Sequence, residues 1–267
     1  MRILTIDGSM TREILKRDKG SRRASASGGG APRAVKEADK RTSEGLQMDK
    51  VLPDRSETVR QIEELGIVAV IRLRDPGKLR AVVDAIMAGG VRALEVTMTV
   101  PGAVELIRGL APTLPEGFLL GAGTVIDPET ARAVVDAGAQ FVISPVFRRS
   151  VIEACHERGV PAAPGCFTPT EILEAHHAGA DIVKVFPATT LGPQYIKDVR
   201  APLPQVKLMP TGGVTPDNAG EWIRAGAVAV AAGSSLLDAK AIESGNFDVI
   251  TANARKFVEN VRAARAK

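Results

Sequence analysis

Asp127-Pro128-Glu129-Thr130-Ala131-Arg132-Ala133-Val134-Val135-Asp136-Ala137-Gly138-Ala139-Gln140-Phe141-Val142-Ile143-Ser144-Pro145 is the stretch on which the fold turns. A polar residue followed by proline suits a first helical turn, because proline's missing N–H is one the helix end leaves unpaired anyway. Helical period follows, and Ala137-Gly138-Ala139 closes the segment as a left-handed C-terminal cap does. An apolar run begins at once. The same punctuation recurs outward in both directions, with Asp75-Pro76, Thr168-Pro169 and Thr215-Pro216 as openers. Residues 88–90 (Ala-Gly-Gly) and the Ala-Gly-Ala triplets that begin at Ala178 and Ala225 are the closers. Apolar runs at 67–73, 91–97, 118–124, 141–145, 160–164, 182–186, 206–211 and 228–234 predict eight strands, and a helix is expected at 55–65. Eight strand–helix units in about 200 residues describe an α/β chain folded as a (β/α)8, or TIM, barrel over residues 51–267. A doubly wound open sheet is the rival. It usually carries Gly-x-Gly-x-x-Gly after its first strand, where this chain has Arg74-Asp75-Pro76-Gly77.

Active groups of such a barrel lie at the C-terminal ends of the strands, so polar residues inside apolar strands are the ones to weigh. Lys184 interrupts Ile182-Val183-Lys184-Val185-Phe186 and shares a face with Ile182 and Phe186. Burial disfavours an ammonium and leaves a neutral, nucleophilic amine suited to capturing a carbonyl, although a lysine that snorkels to water or pairs with an acid has the same sequence signature. Glu95 breaks Ala93-Leu94-Glu95-Val96-Thr97 in the same way, with Thr97 on its face. It reads either as a proton carrier or as a structural partner for an interior cation. Arg72 ends Val68-x-Val70-x-Arg72 and offers a fork to a carboxylate at the rim, or is a solvated strand-end arginine. Three glycine-rich strand ends resemble anion cradles: Gly121-Ala122-Gly123-Thr124, Pro210-Thr211-Gly212-Gly213 and Ala232-Gly233-Ser234-Ser235. The last two follow the seventh and eighth predicted strands, where barrels hold phosphates.

Composition narrows the chemistry further. The pI of 9.2 arises from residues 1–50, with 12 Lys+Arg against 7 Asp+Glu, whereas residues 51–267 carry 23 against 24. The first segment, rich in Ser, Gly and Arg, is expected to be a disordered basic tail. It lacks the interleaved aromatics of a nucleic-acid module, so no nucleic-acid partner is expected; Met48 would also make a natural start. Residues 1–19 lack the apolar core of a secretory signal, and the longest uncharged apolar stretch, 225–235, is far short of the roughly 20 residues of a membrane helix. No membrane partner is expected. Two cysteines, Cys155 and Cys166, give no disulfide framework, which suits a cytoplasmic chain. The three histidines, His156, His176 and His177, fall on predicted helices away from strand ends, so no metal and no cofactor are expected. A protonated imine on Lys184 would itself be the electron sink that carbon–carbon cleavage needs.

Gly90-Val91-Arg92-Ala93-Leu94-Glu95-Val96-Thr97, Gly121-Ala122-Gly123-Thr124-Val125, Ile182-Val183-Lys184-Val185-Phe186-Pro187-Ala188, Gly192-Pro193-Gln194-Tyr195-Ile196-Lys197 and Met209-Pro210-Thr211-Gly212-Gly213-Val214 together resemble the bacterial 2-keto-3-deoxy-6-phosphogluconate aldolases, including those that also act on 4-hydroxy-2-oxoglutarate. The resemblance runs in order from about residue 59 to residue 237. It implies a class I aldolase in which Lys184 forms the Schiff base and Glu95 moves protons. Thr124 would contact the pyruvyl part, with Thr97 and Phe186 beside it, while Thr211, Gly212, Gly213, Gly233 and Ser234 would hold the phosphate end. It also implies a homotrimer acting on a small 2-keto-3-deoxy acid. Where some members have an arginine four residues after the glutamate, this chain has Thr99, and Arg72 is expected to supply that charge. Two alternatives stand beside this reading: a phosphate-binding barrel isomerase or epimerase, and an aldolase for a related keto acid.

Overall fold

The computed structural model describes residues 54–266; the expectation of a disordered tail at residues 1–50 falls outside them. The described elements run α1 (Arg55–Leu65), β1 (Ile67–Ile71), α2 (Leu79–Ala88), β2 (Ala93–Thr97), α3 (Ala103–Leu110), β3 (Leu119–Gly123), α4 (Pro128–Asp136), β4 (Phe141–Ile143), α5 (Arg149–His156), β5 (Ala162–Ala163), β6 (Gly165–Cys166) and α6 (Pro169–His177). They continue through β7 (Val183–Val185), α7 (Gly192–Arg200), β8 (Leu208–Pro210), α8 (Ala219–Arg224), β9 (Val230–Ala232), α9 (Ala239–Ser244) and α10 (Asp248–Arg265). All the paired strands are parallel. They form a six-stranded sheet in the order β5-β4-β3-β2-β1-β9 and a three-stranded sheet β6-β7-β8. The run expected at 160–164 is thus two short strands, because Pro164 has no N–H to give the ladder.

The turn chemistry acts where the sequence places it. Asp127 caps α4 by accepting from Thr130 N at 2.7 Å, and Thr168 with Glu171 forms a capping box on α6. Gly138, Gly179 and Gly226 close their helices at φ near +100°, a region that side chains with a Cβ avoid. Thr215-Pro216 departs from the pattern: the helix begins only at Ala219. Thr215 and Asn218 bond each other across the intervening turn, and Asn218 Nδ2 donates to Gly213 O at 2.9 Å, which ties that turn to the preceding glycine loop. No helix among the described residues is long and apolar enough to cross a membrane.

Alternation along the strands divides the core in two. Leu94 and Val96 of β2, Leu120 and Ala122 of β3, and Val183 and Val185 of β7 pack among the helices. Val68, Leu119, Phe141, Ile182 and Met209 form a second apolar cluster on the opposite strand faces, closed below by Val59 and Ile62 of α1. Glu95 and Lys184 sit on those same faces, one step further along their strands. The α1 plug is fastened at both ends. Arg265 donates to the carbonyls of Glu63, Glu64 and Val228, while Asp181 accepts from Arg55 Nε (2.6 Å), His156 Nε2 (3.0 Å) and Ala162 N (3.0 Å).

The largest influence on Asp181, burial, raises its pKa, but the bonds from His156, Ala162 and Arg55 outweigh it and hold the carboxyl below its ordinary value. A depressed folded pKa contributes stability that is present above the unfolded value and lost as pH falls through the folded one. Asp181→Ala is therefore expected to cost about 2 kcal/mol at neutral pH in urea unfolding. The difference from the unaltered chain should close below about pH 4.

Candidate active site

β2 and β7 bring Glu95 and Lys184 to one interior. Both are buried, at 0 % and 1 % exposure, so Lys184 is not the snorkelling lysine that the sequence alone allowed. Burial, the largest influence, lowers the Lys184 pKa; the negative charge of Glu95 opposes it and the positive charge of Arg72 adds to it. Burial likewise raises Glu95 against the pull of Lys184 and Arg72. Neither carboxyl oxygen of Glu95 has a hydrogen-bond partner among the described residues. Lys184 Nζ lies 5.0 Å from the centre of the Phe186 ring, which forms a wall over the amine. A lysine biased toward the neutral form and a carboxyl biased toward the protonated one, neither in an ion pair among the described residues, are a candidate nucleophile and a candidate acid–base group.

Glycines make that space, and the sequence reading did not assign them this role. Gly123 pairs with Thr97 across the β2–β3 ladder, and a Cβ at residue 123 would fall 1.7 Å from Glu95 Oε1. The carboxyl thus occupies the volume a side chain would need. Gly121, two residues earlier on the same strand face, leaves room for the Phe141 ring in the layer below. The available signal was the Gly-x-Gly spacing, which puts both gaps on one face of one strand.

Thr124 follows with φ +60°, the positive-φ residue other than glycine among those described, a conformation that costs on the order of 1–2 kcal/mol and marks a constrained position. The hydroxyl of Thr97 is already committed. It donates to Ile71 O at 3.0 Å, so in its 2.7 Å contact with Thr99 the latter must be the donor.

The anion-loop candidates gather at the same strand ends. Thr211 is buried at 4 % exposure with its Oγ1 unpartnered among the described residues, and its backbone bridges to Ala231. Gly212 and Gly213 follow at φ +93° and +72°, and a Cβ at residue 213 would meet Thr189 Cα at 2.8 Å. After β9, Gly233 O accepts from Leu236 N and Leu237 N, which curls the loop and leaves Ser234 exposed. Arg72 is exposed at the rim. Its Nη1 stands 3.6 Å from where a Cβ at residue 233 would be, so it lies beside the Gly233 loop, and its charge also reaches Glu95 and Lys184. Cys166 is buried, its Sγ donates to Glu171 O at 3.4 Å, and burial pushes its pKa up to about 12, leaving it a small apolar residue and no nucleophile. No group of three His, Cys, Asp or Glu side chains placed to hold a metal occurs among the described residues.

Comparison with known proteins gives a consistent picture. The family described as "Aldolase: KDPG and KHG aldolase" matches residues 59–253. The KHG/KDPG aldolase of Escherichia coli strain K12 is 36% identical over 197 residues, which is 73% of this chain and 92% of that one. Among solved structures, the KDPG aldolase of Legionella pneumophila, captured with pyruvate as a covalent carbinolamine, superposes with a TM-score of 0.68 at 32% identity over 74% of this chain and 96% of that one. A cube-shaped cage designed by fusing symmetric oligomeric domains contains a chain that superposes with a TM-score of 0.70 at 33% identity, over 76% of this chain and 74% of that one.

Proposed function

Because the chain belongs to the family of KDPG and KHG aldolases, lyases that break carbon–carbon bonds, we propose that it cleaves 2-dehydro-3-deoxy-6-phosphogluconate to pyruvate and glyceraldehyde 3-phosphate through a Schiff base on Lys184. The observation that carries this reading is the buried Lys184, its pKa lowered, beside the buried carboxyl of Glu95, whose two oxygens have no hydrogen-bond partner among the described residues. The amine adds to the C2 ketone, and loss of water leaves a protonated imine. Glu95 accepts the proton of the C4 hydroxyl as the C3–C4 bond breaks, and the bonding pair flows into the imine to give an enamine. The aldehyde departs. Glu95 returns its proton to C3, and hydrolysis releases pyruvate and the free lysine. An isomerase, the alternative, would have no use for a neutral lysine at this position.

Thr124 and Phe186 border the pyruvyl part in this scheme, and Thr97, its hydroxyl tied to Ile71 O, forms a wall of the site. Thr211, Gly212, Gly213, Gly233 and Ser234 receive the phosphate. The sequence assigned Arg72 to the substrate carboxylate, but its place beside Gly233 favours the phosphate side. The same site would accept 4-hydroxy-2-oxoglutarate, giving pyruvate and glyoxylate, or a related keto acid with weaker use of the phosphate loops. Reduction with borohydride in the presence of pyruvate tests the proposal: an intact mass unchanged after reduction would falsify it. Glu95→Gln is expected to keep this trapping while turnover slows by about a hundredfold or more.

The two sheets are proposed to be arcs of one (β/α)8 barrel. Support comes from the single residue, Pro164, that separates β5 from β6, from the Thr211–Ala231 bridge, and from Val228 N donating to Leu208 O at 3.0 Å. A homotrimer in the cytoplasm is the proposed working form, supported by the likeness to a chain of the cage built from symmetric oligomeric domains and by the two cysteines, both free.

A further inference from the structure

Thr211 bridges to Ala231, so the loops that follow β8 and β9 leave the strands side by side. The first of them holds Gly212 and Gly213 at φ +93° and +72°, a conformation in which successive N–H groups turn to one side and cradle an anion. The N–H groups of Gly212, Gly213 and Val214 have no backbone partner among the described residues. Such a loop is easily spoiled. Glycine adopts either sign of φ, so a tandem pair can turn a peptide over and aim a carbonyl oxygen where the N–H groups stood.

Three carbonyls of this loop are tied back. Thr211 O accepts from Ala188 N at 2.9 Å, Gly213 O from Asn218 Nδ2 at 2.9 Å and Val214 O from Ser235 Oγ at 2.6 Å. The last two ties come from side chains. Asn218 is itself oriented, because its Oδ1 accepts from Thr215 N at 2.8 Å and its amide nitrogen is thereby turned to Gly213. Ser235 stands on the other loop and gives its single hydroxyl hydrogen to Val214, so it fixes the spacing of the two loops. Of the two adjacent serines, the exposed Ser234 is left to face a ligand, and Ser235 is the strap.

We propose that Asn218 and Ser235 are positioning residues that keep the N–H groups of Gly212, Gly213 and Val214 turned toward the substrate phosphate, and so set the preference for phosphorylated over unphosphorylated keto acids. The proposal rests on the phosphate loops assigned above. Steady-state kinetics of Ser235→Ala, Asn218→Ala and Ser235→Thr tests it, with 2-dehydro-3-deoxy-6-phosphogluconate and its dephosphorylated counterpart as substrates. The two alanine variants are each expected to raise KM for the phosphorylated substrate about tenfold, the loss of one hydrogen bond's worth of positioning. For the dephosphorylated one kcat/KM should stay within about twofold of the unaltered chain, because a strap on the phosphate loops has nothing to hold there. Borohydride trapping of pyruvate should be unchanged, and Ser235→Thr, which keeps a hydroxyl, should recover the KM. Equal losses on both substrates, or an unchanged KM for the phosphorylated one, overturn the straps. An unaltered chain that traps pyruvate but cleaves both substrates equally well overturns the phosphate loops themselves, and the straps with them.

Discussion

Lys184→Met is expected to abolish trapping of pyruvate by borohydride and to lower kcat/KM by about four powers of ten or more, while the chain stays folded. The loss is large because methionine fills the same volume without an amine, so neither addition to the ketone nor an electron sink remains. Stability should move the other way. A lysine whose folded pKa is lowered loses part of its proton on folding, so it disfavours the folded state at pH values below its ordinary pKa, and that penalty fades as pH approaches 10.5. Urea unfolding should find the methionine variant at least as stable as the unaltered chain at pH 7, with its advantage shrinking toward pH 10. Lys184→Arg separates charge from nucleophilicity: a guanidinium restores a cation beside Glu95 but traps nothing. Retained trapping in either variant would mean that another amine carries the imine.

The two central residues were legible for a simple reason: a charge inside an apolar run of period two has only one face to occupy, and that face was interior for Glu95 and Lys184 alike. The helix closers were legible because Gly138, Gly179 and Gly226 adopt backbone angles that other residues avoid. Long-range approach was not. The proline at 164 marks the place where the ladder divides, but nothing local to it says that the strand resumes at Gly165 in a second sheet, since Ala163 and Cys166 have the same apolar character as an unbroken strand. Nothing local to Arg72 says that its side chain lies beside Gly233, more than 150 residues on. The exposure of Ile126, Val146 and Phe167 was hidden too, because each looks in the sequence like an ordinary continuation of a strand. Gly123 lay between the extremes: its place in an anion-like loop was visible, but not the neighbour it makes room for.

Gly123→Ala is expected to lower kcat by about a hundredfold or more with little change in imine trapping, and to destabilise the fold by about 1–3 kcal/mol. Its φ lies outside the positive region, so alanine is not excluded by the backbone; the cost comes from Glu95. The new methyl would lie 1.7 Å from Oε1, 2.4 Å from Cδ and 2.6 Å from Cγ of Glu95, so the whole carboxyl arm must rotate away and not only its tip. Gly123 thus acts as a positioning residue, and a double-mutant cycle reads this directly. On a Glu95→Ala background the arm is gone, so adding Gly123→Ala should cost little further rate and little further stability. Fully additive losses would instead place the effect of residue 123 on the backbone of β3 or on Thr124 beside it, and the volume argument would fail.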